Sequence, residues 1–356
     1  MAIHQNCTTF ATAETASLDR DGADLFLLVV KATFSWDEHG RPSLASEMQP
    51  VTGADTCAGE PGKSGVVVES DFVPEKPRVD VLLAGKIKTP KPVEQVDVTL
   101  EVGDRIKKVA RVFGDRFWAV AETGYAALTR PQPFTEMPIE WDRAFGGTDP
   151  KDPTCSDRRN PVGTGLRKDL RDLNEVRAPN FETPQQPLTS PRDRPTPTGF
   201  GPVPRHAQSR VKLAGTYDEK WLNDRFPILP EDFDSRFFNA APEDQQLDDY
   251  RPGEEVRLHY LTEKGKERFF LPPWEVEVVR QRRASFKTDR YTIKPDTIFI
   301  EPAERRFSLV GRVRFYPVPD LLGLGKIFVG PTKGRLRALK RRKLYVDWIA
   351  KEARVP

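Results

Sequence analysis

Proline sets the first limit on what this chain can fold into. It holds 33 prolines in 356 residues, about 9% against an ordinary ~5%. A residue without a donor N–H and with a fixed φ is confined to turns, strand edges and the first turn of a helix. Much of the chain must therefore be turn and loop. Those loops are not disordered linkers, because 21 Phe, 7 Tyr and 6 Trp require burial that a disordered segment does not supply. The expectation is a mainly β protein: antiparallel hairpins and meanders forming a sandwich or barrel-like scaffold, with long ordered proline-rich loops and few helices.

The strands are legible on either side of the loops. Leu25 to Trp36 is rich in Val, Phe and Leu and runs into the turn Asp37-Glu38-His39-Gly40. Val96, Val98, Leu100 and Val102 alternate onto one face. Gly103-Asp104 then turns the chain into Arg105–Phe113, and Gly114-Asp115 turns it again into Arg116–Val120. Two Gly-Asp turns between alternating segments predict an antiparallel meander. Further on, Glu255–Leu261 with Arg268–Leu271, and Thr297–Glu301 with Arg305–Phe315, read as hairpins. In the second, Ile298 and Ile300 share a face opposite Phe307, Leu309, Gly311 and Val313. The tail Lys333–Arg354 fits a basic helix with Leu336, Leu339, Val346 and Ile349 on one side, although Leu344–Ile349 fits a strand almost as well. Four regions follow: 1–129 and 251–319 as β scaffold, 130–250 as a proline- and aromatic-rich loop region, and 320–356 as a basic tail. All four can belong to one compact domain.

Charge and cysteine usage remove several function classes. With 56 basic and 53 acidic residues the net charge is +3, too balanced for a dedicated nucleic-acid or membrane-surface binder. Cys7, Cys57 and Cys155 are too scattered for a disulfide framework, and His4, His39, His206 and His259 are isolated from one another. No zinc-ligand spacing occurs. The longest strongly apolar run is Leu25–Val30, so neither a signal peptide nor a membrane span is expected. A cytoplasmic protein without cofactor or metal is the expectation.

Long ordered loops are usually functional, so the middle region is where function is sought. Gly146 and Gly147, and Gly163 and Gly165 in Asn160-Pro161-Val162-Gly163-Thr164-Gly165, could aim backbone N–H groups at a phosphate, but no P-loop or dinucleotide pattern surrounds them. Tight turns at φ > 0 account for them better. Asp142, Asp149, Asp152 and Asp157 could hold a hard cation, yet lack calcium-loop spacing and have Arg143, Arg158 and Arg159 beside them. Asp232 and Asp234 could form an acid/base pair; turn capping, with Phe233, Phe237 and Phe238 packing, is the simpler account. No Gly-x-Ser-x-Gly, Ser-x-x-Lys or His-Glu-x-x-His is present. Lys333–Lys343 carries seven basic residues in eleven and no acid, a solvated face or a docking face for an acidic partner.

Taken in order, several segments resemble one family. Lys76-Pro77-Arg78-Val79-Asp80-Val81, Gly114-Asp115-Arg116-Phe117-Trp118, the Trp141–Asp149 run, Asn160–Gly165, Pro179-Asn180-Phe181-Glu182, Gly199-Phe200-Gly201-Pro202, Phe237–Gln245, Pro295-Asp296-Thr297 and Arg312-Val313-Arg314 look like the bacterial domain-of-unknown-function family numbered 2169. The likeness spans about Phe26 to Tyr316 and departs from the family's usual pattern at Trp141-Asp142 and at Gly311. The resemblance implies a non-enzymatic adaptor or chaperone of the type VI secretion system, one that holds an effector bearing a PAAR or Rhs segment and helps load it onto the VgrG spike. Nucleic-acid binding and membrane insertion are not implied. Aromatic and arginine anchors dominate such surfaces; the candidates are Trp141, Arg143, Phe145, Phe237 and Phe238, with Arg341 and Arg342 of the basic run. The rivals are a hydrolase using Asp232/Asp234 or Asp142/Asp149, and a structural component of the secretion particle.

Overall fold

A computed structural model describes residues 3–282, 287–316 and 325–341. The strand Asp24–Trp36 is its spine. Phe26, Leu28, Val30, Ala32, Phe34 and Trp36 enter the main core, while Leu27 and Val29 pack on the opposite face with Val310, closed over by Val51 and Phe72. A strand covered on both faces reads as a continuous apolar run. That is why this segment shows no alternation. Lys31 lies on the second face, buried, with its ammonium 3.1 Å from Asp71 and 3.1 Å from the Thr52 hydroxyl.

Around the spine runs a seven-stranded sheet in the order Gln246–Leu247, Val79–Leu83, Thr297–Glu301, Arg306–Phe315, Asp24–Trp36 and Ala11–Leu18, with Pro42–Leu44 also paired to the spine. Its pairings are antiparallel except that of Val79–Leu83 with Thr297–Glu301. A five-stranded antiparallel sheet, Phe181–Glu182, Ile106–Phe113, Gln95–Val102, Glu255–His259 and Lys266–Phe270, packs on it. Stacked rings join the two layers: Phe269 of the five-stranded sheet lies 4.6 Å from Trp36 and 4.5 Å from Phe307 of the seven-stranded one. A four-stranded sheet, Ile3–Asn6, Lys326–Val329, Val276–Gln281 and Thr288–Ile293, adds Val276, Val278, Ile293, Ile327 and Val329 to the same core. Among the described residues the architecture is a β-sandwich-like scaffold without a closed barrel.

Most of the expected hairpins form. Val98, Leu100 and Val102 are buried on one face, and Gly103 (φ 53°) turns Val102 into register with Ile106. Ile298 pairs with Leu309 and Ile300 with Phe307, all four in the core. The meander stops one strand early, however. After Gly114 the chain leaves the sheet, and Trp118–Val120 pairs with Ala126–Leu128 instead. Phe181–Glu182 takes the vacated edge beside Arg111 and Val112. The cause is Arg116: its guanidinium stacks 3.7 Å over Phe113 and pairs with buried Glu182. Trp118 meanwhile enters a second cluster with Phe145, Leu173, Ala178 and Leu188. The tail helix is Lys333–Lys340, with the Thr332 hydroxyl accepting from the Arg335 N–H at its start. Val346, Ile349 and the alternative strand Leu344–Ile349 lie outside the described residues.

The loop region is ordered as short pieces: one-turn 3-10 segments at Trp141–Arg143, Leu170–Leu173, Ser235–Phe238 and Glu243–Gln245, and the helices Gln208–Val211 and Glu219–Asp224. No helix among the described residues is long and apolar enough to cross a membrane.

Candidate functional site

Backbone groups in such loops have no ladder partners and must be satisfied some other way. Buried amide side chains do this. Asn160 donates to the carbonyls of Trp141 (2.9 Å) and Phe145 (3.1 Å). Asn180 donates to Phe113 O and Asp115 Oδ1 (both 3.0 Å), and its own oxygen accepts from Arg143 (3.1 Å). Gln245 donates to Val81 O (2.7 Å) and Phe200 O (3.0 Å). Asn239 donates to Arg78 O (2.8 Å) and Asp80 Oδ1 (2.9 Å). Asp80, fully buried, also accepts from Lys76 Nζ (2.6 Å) and the Ala240 N–H (2.8 Å). Nearby, Arg312 is bidentate to Asp296 at 2.6 and 2.8 Å. The segments that carry the family likeness thus meet in space, as the network fastening the loops to the sheets.

The proposed contact residues divide on this geometry. Trp141 is 6% exposed, its indole N–H donating to Gly201 O at 3.0 Å, and Phe145 is 2% exposed. Both rings are interior and present no surface to a partner. Arg143 is turned inward to Asp115 and Asn180. Phe237 and Phe238 form a half-buried knot with Phe233, ring centroids 5.2–6.0 Å apart. Buried Arg210 locks it, donating to Phe237 O (2.8 Å) with its guanidinium 5.1 Å from the Phe237 ring. Arg341 is exposed; Arg342 lies outside the described residues. Gly146, Gly147 and Gly165 have φ of 139°, 96° and 98°, as turn glycines should. Gly163 does not share that conformation. A side chain there would sit 2.5 Å from Asn160 Nδ2 and 2.7 Å from Ala144 O, so close approach is its reason.

The carboxylates proposed for catalysis hold local structure. Asp232 accepts from the Thr216 N–H (2.9 Å) and hydroxyl (2.8 Å), and the N–H chiefly holds its carboxyl below the ordinary range. Asp234 caps Ser235–Phe238 and is held down chiefly by the Arg236 side chain. Acid/base catalysis by such a pair calls for one carboxyl raised toward neutrality, and both are lowered. Asp142 accepts from the Gly65 N–H at 2.8 Å, and Asp149 from the Lys168 and Lys151 N–H groups, both 2.9 Å. Asp157 pairs with Arg159 at 2.6 Å. Among the described residues no group of three His, Cys, Asp or Glu is arranged to hold a metal.

Exposed apolar side chains concentrate elsewhere. Of nine large ones exposed among the described residues, Val211, Tyr217, Leu222 and Phe226 fall in one sixteen-residue stretch. Asp218 caps the helix Glu219–Asp224 by accepting the Trp221 N–H (2.8 Å). Half-buried Trp221 is its centre: the indole N–H donates to Ile228 O (2.8 Å), the Tyr217 ring lies edge-on at 4.7 Å, and the Phe226 ring at 5.6 Å. Arg225 braces this lobe, donating to Leu229 O and to Arg20 O (both 3.0 Å) in the turn that precedes the spine strand; Arg20 donates back to Glu231 O. Sequence reasoning passed over Tyr217, Leu222 and Phe226. The available signal was three apolar residues set among charges, with too little periodicity around them to be buried.

Fold and surface together define a β-sandwich scaffold whose ordered loop layer raises an aromatic lobe. The chain belongs to a family of uncharacterized proteins conserved in bacteria, DUF2169, whose model matches residues 21–312. No curated protein and no solved structure matches it.

Proposed function

We propose that this protein is a non-enzymatic adaptor that holds a type VI secretion effector of the PAAR or Rhs kind and promotes its loading onto the VgrG spike from the cytoplasmic side. The role is the one the family likeness implies. The observation that carries it here is the lobe Tyr217–Phe226, where Tyr217, Leu222 and Phe226 are 54%, 56% and 63% exposed. Rings held this far out by a braced helix are costly in water unless a partner covers them. The hydrolase alternative draws no support from the Asp232, Asp234, Asp142 and Asp149 carboxylates, each of which accepts from a backbone N–H.

The mechanism that fits is rigid presentation. The buried amide network fixes the loops, Asp232 on Thr216 and Arg225 on Leu229 and Arg20 hold the base of the lobe, and the lobe meets the effector without a folding cost at binding. The test is affinity co-purification of the tagged full-length protein from its host, followed by mass spectrometry. Joint recovery of a toxin-like protein and a spike protein is expected. A folded bait that retains neither would refute the adaptor role.

A further inference from the structure

We infer that the lobe receives a basic, amphipathic peptide segment of the partner, its apolar side chains seated on Tyr217, Leu222 and Phe226 and its lysines or arginines over the acidic rim. This rests on the adaptor reading and names the chemistry of what the adaptor holds.

The lobe sets an apolar centre within an acidic surround. Segments 18–24 and 211–232 hold eight Asp or Glu and four Lys or Arg, although the whole chain is net positive at +3. Arg225 pairs with Glu231 at 3.7 Å and donates to carbonyls of the lobe and its bracing turn, Arg20 donates to Glu231 O, and Lys212 pairs with Glu243 at 3.3 Å, so the four cations offset only half of the eight carboxylates. Asp218 and Asp232 accept from backbone N–H groups, and Asp19 accepts from the Asp21 and Ala23 N–H groups. Such bonds fix a carboxylate and leave its charge in place. The rim therefore keeps a negative field around exposed rings.

That field selects the occupant. It repels phosphate-bearing nucleic acid and anionic lipid surfaces, for both of which an apolar lobe would need a basic surround. It attracts ammonium and guanidinium groups, which also favour aromatic faces such as Tyr217 and Phe226. A peptide with apolar residues on one side and cations on the other meets both demands.

The test uses the full-length protein and a fluorescein-labelled peptide of about 14 residues, leucines at helical spacing and lysines elsewhere, beside its twin with Glu for every Lys. Anisotropy titrations are run on wild type, on Phe226→Ser and Leu222→Ser, and on Tyr125→Ser as an exposed control outside the lobe. We expect only the lysine peptide to bind. Loss should be about 30-fold or more in each lobe variant, with weakening as salt is raised and no change in the control. Equal binding of both peptides, no binding of the lysine peptide, or binding indifferent to the lobe variants would overturn the assignment. The same variants in the co-purification separate the two claims. If wild type and lobe variants retain the effector equally, the lobe is wrongly assigned and the adaptor role stands; if wild type retains nothing, the adaptor role falls.

Discussion

Lys76 and Asp80 offer a sharp test of how the loop layer is fastened. Their side chains are 6% and 0% exposed and 2.6 Å apart. Asp80 also takes the Asn239 amide and the Ala240 N–H, so this one carboxylate ties the first strand of the family-like pattern to the loop after the Phe237–Phe238 knot. Lys76→Met keeps the length of the stem and removes the ammonium, leaving a carboxylate in the interior without its counter-charge. Removing one partner of a buried pair costs about 3–5 kcal/mol. At ~2.1 cal/mol/K per residue, this chain has an unfolding entropy near ~0.75 kcal/mol/K, so Tm should fall by about 4–7 °C. Asp80→Asn strands the ammonium instead. The double variant removes both charges while the new amide oxygen still accepts from Ala240 or Asn239, so its loss should fall short of the sum by roughly 2 kcal/mol. Urea unfolding followed by circular dichroism measures all three. Single losses that add to within about 0.5 kcal/mol in the double variant, or a Lys76→Met cost below about 1 kcal/mol, would show that the pair behaves like a surface ion pair and refute the reasoning.

Three further outcomes follow from the same geometry. Asn180→Ala should cost about 2–3 kcal/mol, because it leaves Phe113 O and Arg143 with unmet partners in the interior; chemical denaturation reads it directly. Gly163→Ala should cost at least about 1–3 kcal/mol by overpacking against Asn160 and Ala144, whereas Gly53→Ala, with open space around it, should be neutral or stabilising by up to about 1 kcal/mol. The Asp152 carboxyl is lowered to about 2, chiefly by the Lys168 side chain. A depressed carboxyl contributes stability above its unfolded value and loses it as pH falls toward the folded one. Asp152→Asn should therefore flatten the acid slope of Tm between about pH 4 and 2 and leave the slope near neutrality unchanged.

The scaffold was legible wherever one strand face is wet. Val96–Val102 alternates because one side packs and the other does not, whereas Ile298 and Ile300 face the main core and Phe299 between them packs on the opposite face with Leu82, Ala84, Ala240 and Ala241; both hairpins were placed correctly. The third strand of the meander was misread because Arg116 looks like any exposed β residue in a one-dimensional pattern. Only Glu182, sixty-six positions later, makes it an interior anchor. The same limit applied to the site. Trp141 and Phe145 looked like surface anchors because large rings beside glycines and prolines suggest a loop. What buries them is Val162, Val203 and Ala207 around Trp141 and Trp118, Leu173, Ala178 and Leu188 around Phe145, and that proximity is a product of the tertiary fold. Conversely, Tyr217, Leu222 and Phe226 show only as apolar residues set among charges, a signal shared by Phe233, which stands between Asp232 and Asp234 and is buried.

The pairing of Asp24–Trp36 with Arg306–Phe315 has a consequence for biosynthesis. The Thr33 and Ser308 hydroxyls that touch at 3.0 Å are 275 residues apart. At ribosomal rates of about 5–20 residues per second, on the order of 15–50 s pass between the two strands emerging. Throughout that interval the thirteen-residue spine has its Ala11–Leu18 neighbour but offers its other edge, lined with Leu, Val and Phe, to any nascent chain nearby. Slower elongation lengthens the exposure rather than relieving it. The yield of native protein in a cell is thus decided by what shelters that edge until the C-terminal strands arrive.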